Sequence, residues 1–168
     1  MRIYVPIILS TLREVVTSKV LSPRGGVVFA VTDELREEYP EADDEELEYL
    51  AMTDAARACL RLLAAASPTE PQLRVVISAD VPAAVATPDL DRAAAKIEGQ
   101  VAWKQIASVH LDGAEAIDVV RAAAAVVDQA DLGDDDAEFI VGSAEDLALG
   151  WYAPGEVAYL IEDLDSEG

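Results

Sequence analysis

The sequence predicts an α+β protein built on a mixed or antiparallel sheet of about five strands, with helices mainly on one face. Two observations predict this class. Short apolar runs of strand length recur along the 168 residues, and segments with helical spacing of apolar residues lie between them. A strand, a turn and a helix follow one another four times, which favours two ferredoxin-like halves; a doubly wound α/β sheet is the alternative.

The first half of the chain alternates between predicted strands and helices. Each strand is an apolar or β-branched run that ends at proline, glycine or a polar cluster. The longest helix begins in an acidic run, which suits the positive end of a helix dipole, and it ends at Ser67-Pro68. In chain order we predict strand 2–5, a short helix bearing Leu12, Val15 and Val16, strand 27–31, a short helix from Thr32 or Asp33, helix 43–66 and strand 73–77.

The second half begins with residues 80–96, which mix proline, alanine and aspartate without a period and therefore predict a long connection. Beyond it, Ile117, Val120, Ala124 and Val127 recur at helical spacing. We predict strands 100–104 and 106–111, helix 114–130, a short helix capped by Asp134, strand 147–152 and helix 156–164. Residues 1–164 are predicted to form a single domain, and residues 165–168 to fray.

Charge is the most unusual bulk property, because 33 acidic and 12 basic residues give a formal net charge of −21. Binding to nucleic acid or anionic lipid depends on Lys and Arg, so both are disfavoured. No apolar run reaches the roughly 20 residues that cross a bilayer. We expect a protein partner, with a cationic one favoured, and alanine-rich helix faces also permit a homodimer. The single cysteine and the lack of a signal peptide favour the cytoplasm.

Motifs for cofactors and metals are missing from the sequence. Pro23-Arg24-Gly25-Gly26 is the nearest approach to a phosphate loop, and two glycines are better explained as an ordinary loop. One cysteine, Cys59, and one histidine are too few for zinc. Asp131 and the aspartates at 134–136 suit the start of a helix without any metal. We therefore predict no cofactor and no metal.

A Ser–His catalytic pair would have to use His110, the single histidine, and Ser108 is the serine next to it on the same face of the predicted strand. Side chains two residues apart on a strand stand roughly 7 Å from each other, which is too far for a hydrogen bond. The sequence therefore favours a structural or surface histidine and leans away from an enzyme. An alternative is a carboxylate site that brings together Asp80, Asp112 or Glu156.

Binding residues are predicted among the aromatic side chains, because each combines a large apolar area with a polar tip. Trp151 and Tyr152 meet a turn at a strand end, and Trp103 and His110 lie in other strand segments. We expect a non-catalytic protein-binding or regulatory module. A small-ligand-binding protein or an enzyme with a carboxylate site is the alternative.

Several blocks of sequence resemble one known family. They are MRIYVP (1–6), FAVT (29–32), EELEY (45–49), AARA (55–58), ADLGD (130–134) and LGWY (149–152). The family is actinobacterial and carries only a domain-of-unknown-function label. The resemblance extends along nearly the whole chain and implies a bacterial cytosolic protein, but it supplies no activity, cofactor or catalytic residue.

Overall fold

The computed structural model describes residues 1–167, which form a seven-stranded sheet, a two-stranded sheet and six α-helices. This arrangement confirms the predicted α+β class. The strands are β1 (Arg2–Ile7), β2 (Val20–Leu21), β3 (Val27–Phe29), β4 (Val75–Asp80), β5 (Val85–Ala86), β6 (Ala94–Lys96), β7 (Val101–Ala102), β8 (Ile106–Leu111) and β9 (Gly150–Tyr152). The helices are α1 (Leu9–Ser18), α2 (Asp33–Glu38), α3 (Asp44–Ala64), α4 (Ile117–Asp131), α5 (Asp135–Glu145) and α6 (Val157–Glu167).

The large sheet has the strand order β5-β6-β3-β1-β4-β8-β9, and every neighbouring pair is antiparallel. An antiparallel sheet excludes the doubly wound alternative. Strands β3 and β4 flank β1 and run parallel with each other, and α3 lies in their connection. This is the split β-α-β unit of ferredoxin-like folds. The other half does not repeat the unit, because β8 and β9 are direct neighbours.

The large sheet has seven strands where about five were expected. Both β5 and β6 lie within residues 80–96, which were predicted to be a connection. These strands are two and three residues long, and alanine and proline carry little β signal, so only pairing with β3 reveals them. The predicted strand at 100–104 is reduced to β7, which pairs with β2 in the small sheet.

Helices cover both faces of the large sheet, with the larger share on one face as predicted. Alternation along β1 divides the core, since Ile3 and Val5 pack with α1 and α6, whereas Tyr4 packs with α2 and α3. Leu60 and Leu63 of α3 then contact α4 and α5 in a further apolar cluster. Helices α2 to α5 therefore form a thick layer over one face.

Arginine ion pairs join the members of this helix layer. Arg57 of α3 contacts carboxylates of Asp131, Glu138 and Glu145, and Arg61 contacts Asp131. Because α4 and α5 supply the carboxylates, the ion pairs fix both helices to α3.

The C-terminal segment is helical as far as Glu167, where fraying from residue 165 was predicted. The Asp165 carboxylate accepts a hydrogen bond from Arg13 of α1 over 2.8 Å. This ion pair anchors the last turn of α6, and Gly168 lies outside the described residues. Within residues 1–167, no helix combines the length and apolarity needed to cross a bilayer.

Candidate functional site

Strands β8 and β9 place two of the predicted binding residues side by side. Trp151 lies directly opposite His110 in the ladder, so both side chains project from the same face of the sheet. This is the face that carries α3, because His110 also pairs with Val76 of the α3 cluster. The Trp151 side chain is 62% exposed, whereas His110 is half-buried.

His110 contacts two serine hydroxyls. Its Nε2 lies 3.0 Å from Ser108 Oγ and 3.0 Å from Ser78 Oγ on the neighbouring strand. The prediction that Ser108 is too far from His110 was therefore wrong. A spacing of about 7 Å applies to the backbone positions of residues two apart on a strand, and the His110 imidazole spans it by leaning along the strand towards the Ser108 hydroxyl.

The two serines are nevertheless poorly placed for nucleophilic catalysis. Ser78 and Ser108 are only 1% and 4% exposed, so a substrate cannot approach their hydroxyls. Burial and the charge of Arg2 lower the pKa of His110, which keeps the ring neutral near pH 7. No carboxylate among the described residues hydrogen-bonds the ring to orient it as a base. The arrangement links β4 to β8 and favours a structural role for His110.

The remaining predicted binding residues lie elsewhere. Tyr152 pairs with Val109 and packs against the core on the opposite face of the sheet from Trp151. Trp103 lies in a 3-10 turn before β8, where the Lys19 ammonium sits 4.3 Å from the ring centroid. The structure thus brings Trp151 and His110 together and separates Tyr152 and Trp103 from them.

The carboxylates of the alternative hypothesis do not converge. Asp112 is buried and accepts hydrogen bonds from Arg74, and Asp80 pairs with Arg2. Glu156 is exposed at the turn before α6. Nowhere in residues 1–167 do three His, Cys, Asp or Glu side chains gather so that they could hold a metal ion.

The aspartates near the start of α5 have structural partners. Asp134 caps the helix by accepting a hydrogen bond from Ala137 N over 2.9 Å, as predicted. Hydrogen bonds from Arg61 and Arg57 lower the pKa of Asp131.

Cys59 is the one cysteine of the sequence. Its side chain is buried, and burial raises the pKa of the thiol to about 12.

A crevice of about 160 Å³ opens beside β9, between α3 and residues 147–149. Tyr49 and Met52 line it from α3, and Leu149 lines it from the segment before β9. Tyr49 is exposed like Trp151. We call Tyr49, Met52, His110, Leu149 and Trp151 the β9 face. Sequence reasoning missed the first two because they lie on a helix remote from β9 in the chain.

Comparison with known proteins gives a family and nothing further. No curated protein and no solved structure shows significant similarity to the chain. One family model matches residues 1–161, which is nearly the whole chain, and it describes a family of unknown function. The predicted family resemblance is confirmed, while the actinobacterial origin stays a prediction. The chain belongs to the family of unknown function DUF6912.

Proposed function

We propose that the protein is a non-catalytic module that binds a basic, extended segment of a partner protein on the β9 face. The observation that carries the proposal is the exposure of Trp151 on an edge strand, beside the crevice lined by Tyr49 and Leu149. An exposed tryptophan next to a small apolar crevice is typical of the central residues of protein interfaces.

The open edge of the sheet supports an extended partner. Among the described strands, β9 pairs with β8 alone and is the last strand in the sheet order. Its outer side presents unpaired backbone N–H and C=O groups, which an incoming strand can satisfy. Side chains of such a strand would point alternately to the face that carries Trp151 and to the opposite face. The main-chain hydrogen bonds would then supply affinity, and the crevice would supply specificity.

Charge supports a basic partner over a second copy of the chain. Asp146 and Glu156 are exposed on either side of β9. Two copies would each carry a net charge of −21 and repel one another, whereas a Lys- or Arg-rich segment would be attracted.

The test compares Trp151→Ala with Phe139→Ala, which removes a still more exposed aromatic from α5. Immobilised wild-type and variant proteins are incubated with native-host extract, and retained proteins are identified by mass spectrometry. We expect one basic protein to be retained by the wild type and Phe139→Ala, and to fall at least tenfold with Trp151→Ala. The purified partner should then protect the amides of Gly150–Tyr152 from hydrogen exchange.

Equal retention by both variants, or protection that spares β9, would contradict the proposal. So would the absence of any retained protein. Light scattering measures the oligomeric state of the wild type and of Trp151→Ala. A wild-type dimer that Trp151→Ala abolishes would show that the β9 face binds a second copy of the chain instead.

A further inference from the structure

A second surface feature lies at the other end of the large sheet. Helix α3 crosses β3, β1 and β4, and a groove of about 300 Å³ forms between α3 and the segment that precedes β6. Ligand sites in proteins begin at about this size. We call it the Arg24 groove, after the arginine on its rim.

The floor of the Arg24 groove is apolar and built by strand register. Phe29 pairs with Tyr4 and with Ala94, so Phe29, Ala94 and Pro6 project from the same face. Ala58 and Leu62, one turn apart on α3, form one wall, and the exposed Leu90 stands opposite. A second hollow of about 180 Å³ adjoins the groove and shares Pro6, Arg24 and Leu62 with it.

Arg24 differs from the other eight of the nine arginines, because it forms no ion pair with a described residue. Eight form ion pairs: Arg2, Arg13, Arg36, Arg57, Arg61, Arg74, Arg92 and Arg121. The Arg24 guanidinium has no carboxylate of the described residues within ion-pair distance, although acidic residues outnumber basic ones by 33 to 12. An exposed arginine that stays unpaired in so acidic a chain is available to an anion from outside.

The backbone around Arg24 is fixed in place. Gly25 and Gly26 have φ values of 64° and 73°, and Gly26 N donates to Pro23 O over 2.9 Å. Gly26 O accepts from Ile97 N over 3.0 Å, which ties the turn to the end of β6. The turn therefore holds the start of the Arg24 side chain beside the groove without any ligand.

The other charged groups of the groove set the direction in which a ligand would lie. Arg61 donates hydrogen bonds from Nε and Nη2 to the Asp131 carboxylate, so its Nη1 is left for another acceptor. Asp91 lies on the same side as Leu90, and its carboxylate accepts from Ala93 N over 3.0 Å. An anionic head group is thus favoured beside Arg24 and disfavoured near Asp91, where the apolar tail would rest.

We propose that the Arg24 groove binds a small amphipathic anion, with its carboxylate or phosphate head on Arg24 and its apolar chain against Leu62 and Leu90. Arginine recognises both heads through paired hydrogen bonds. Charges of the acidic surface beyond about 10 Å are screened at 0.1 M salt, which reduces their repulsion of an anion at Arg24.

The test titrates the full-length, ¹⁵N-labelled protein with octanoate and follows amide shifts by NMR. Octyl phosphate distinguishes a phosphate head from a carboxylate, and octanol keeps the chain but removes the charge. Arg24→Gln removes the proposed head-group partner, and Arg121→Gln is the control because Arg121 pairs only with Asp118 on the exposed face of α4.

Octanoate or octyl phosphate should shift the amides of residues 27–29, 58–62 and 90–94. We expect Arg24→Gln to weaken binding roughly tenfold, because one charge-assisted contact is lost, and Arg121→Gln to bind like the wild type. Octanol should bind at least tenfold more weakly than the tighter anion.

Three results would overturn the proposal. The first is the absence of groove shifts with both anions at 10-fold molar excess over ~1 mM protein, conditions that detect even millimolar binding. The second is octanol binding as tightly as the anions. The third is anion binding that Arg24→Gln leaves unchanged while it lowers the melting temperature, which would make Arg24 a structural partner of the α3 C-terminus.

Discussion

The helix layer and the Arg24 groove use the same residue type in opposite ways. In the helix layer, Arg57 and Arg61 contact carboxylates of the neighbouring helices. Arg74, just before β4, is 2% exposed, and its partner Asp112 is wholly buried. At the groove, Arg24 is exposed and without such a partner. Most of the paired arginines join separate parts of the fold, whereas Arg24, which forms no ion pair with the described residues, is the one we propose to bind a ligand.

The largest expected effect tests the paired arginines in this comparison. Arg74 donates to Asp112 through its backbone N, Nε and Nη2, and to Leu147 O. Arg74→Met leaves Asp112 as a buried charge without its counterion, and should lower the free energy of unfolding by about 3–5 kcal/mol in urea titrations. Arg74→Met with Asp112→Asn should lose clearly less, because no charge remains. Equal losses would show that packing matters more than charge.

Arg57 should give the next largest effect. Its half-buried guanidinium bridges Asp131 of α4 with Glu138 and Glu145 of α5. Arg57→Met leaves Glu138 and Glu145 without their cation and Asp131 with Arg61 alone, and should cost about 1–3 kcal/mol, measured by urea unfolding. Added salt should restore part of the loss through screening. The exposed Arg121→Met is the control, and a loss as large as for Arg57 would remove the distinction between the two arginines.

His110 at the β9 face adds a case that differs from both groups of arginines. Its ring has no carboxylate partner among the described residues, and it is half-buried. Burial and Arg2 lower its pKa below 6.5 in the folded protein. The folded state then binds fewer protons than the unfolded chain, so stability falls as the pH drops through 6.5 towards the folded pKa. NMR titration of this single histidine should give a pKa below 6.5. A higher value would indicate a cationic ring held by a carboxylate.

Arg24→Gln should have the smallest effect on stability. Since Arg24 makes no ion pair with the described residues, the free energy of unfolding should change by less than about 0.5 kcal/mol in urea titrations. A loss close to that of Arg57→Met would place Arg24 among the structural arginines and erase the contrast between the two regions.

Much of the fold could be predicted from local patterns. The long helix α3 and the strands β4 and β8 carry strong periodicity or apolar runs, and the structure confirms them. The short strands β5 and β6 carry no such signal, because their conformation depends on pairing with β3. Alternation along β9 could have predicted that Trp151 and Tyr152 point to opposite faces.

The candidate sites were harder to predict than the fold. The contact of His110 with Ser78 depends on the register between β4 and β8, which no local pattern specifies. The Arg24 groove combines β1, β3, β6, α3 and the Leu90 segment, which are far apart in the chain. Its one local signal was Arg24 followed by two glycines, a pattern that also fits an ordinary loop.

The contrast between arginines in ion pairs and the unpaired Arg24 is tested most directly by octanoate binding. The affinity of Arg24→Gln is compared with that of the wild type, and unfolding is measured on the same samples. We predict an affinity about tenfold lower at unchanged stability. Unchanged affinity would contradict the account, and a lower stability in the same samples would show that Arg24 stabilises the fold as Arg57 and Arg74 do.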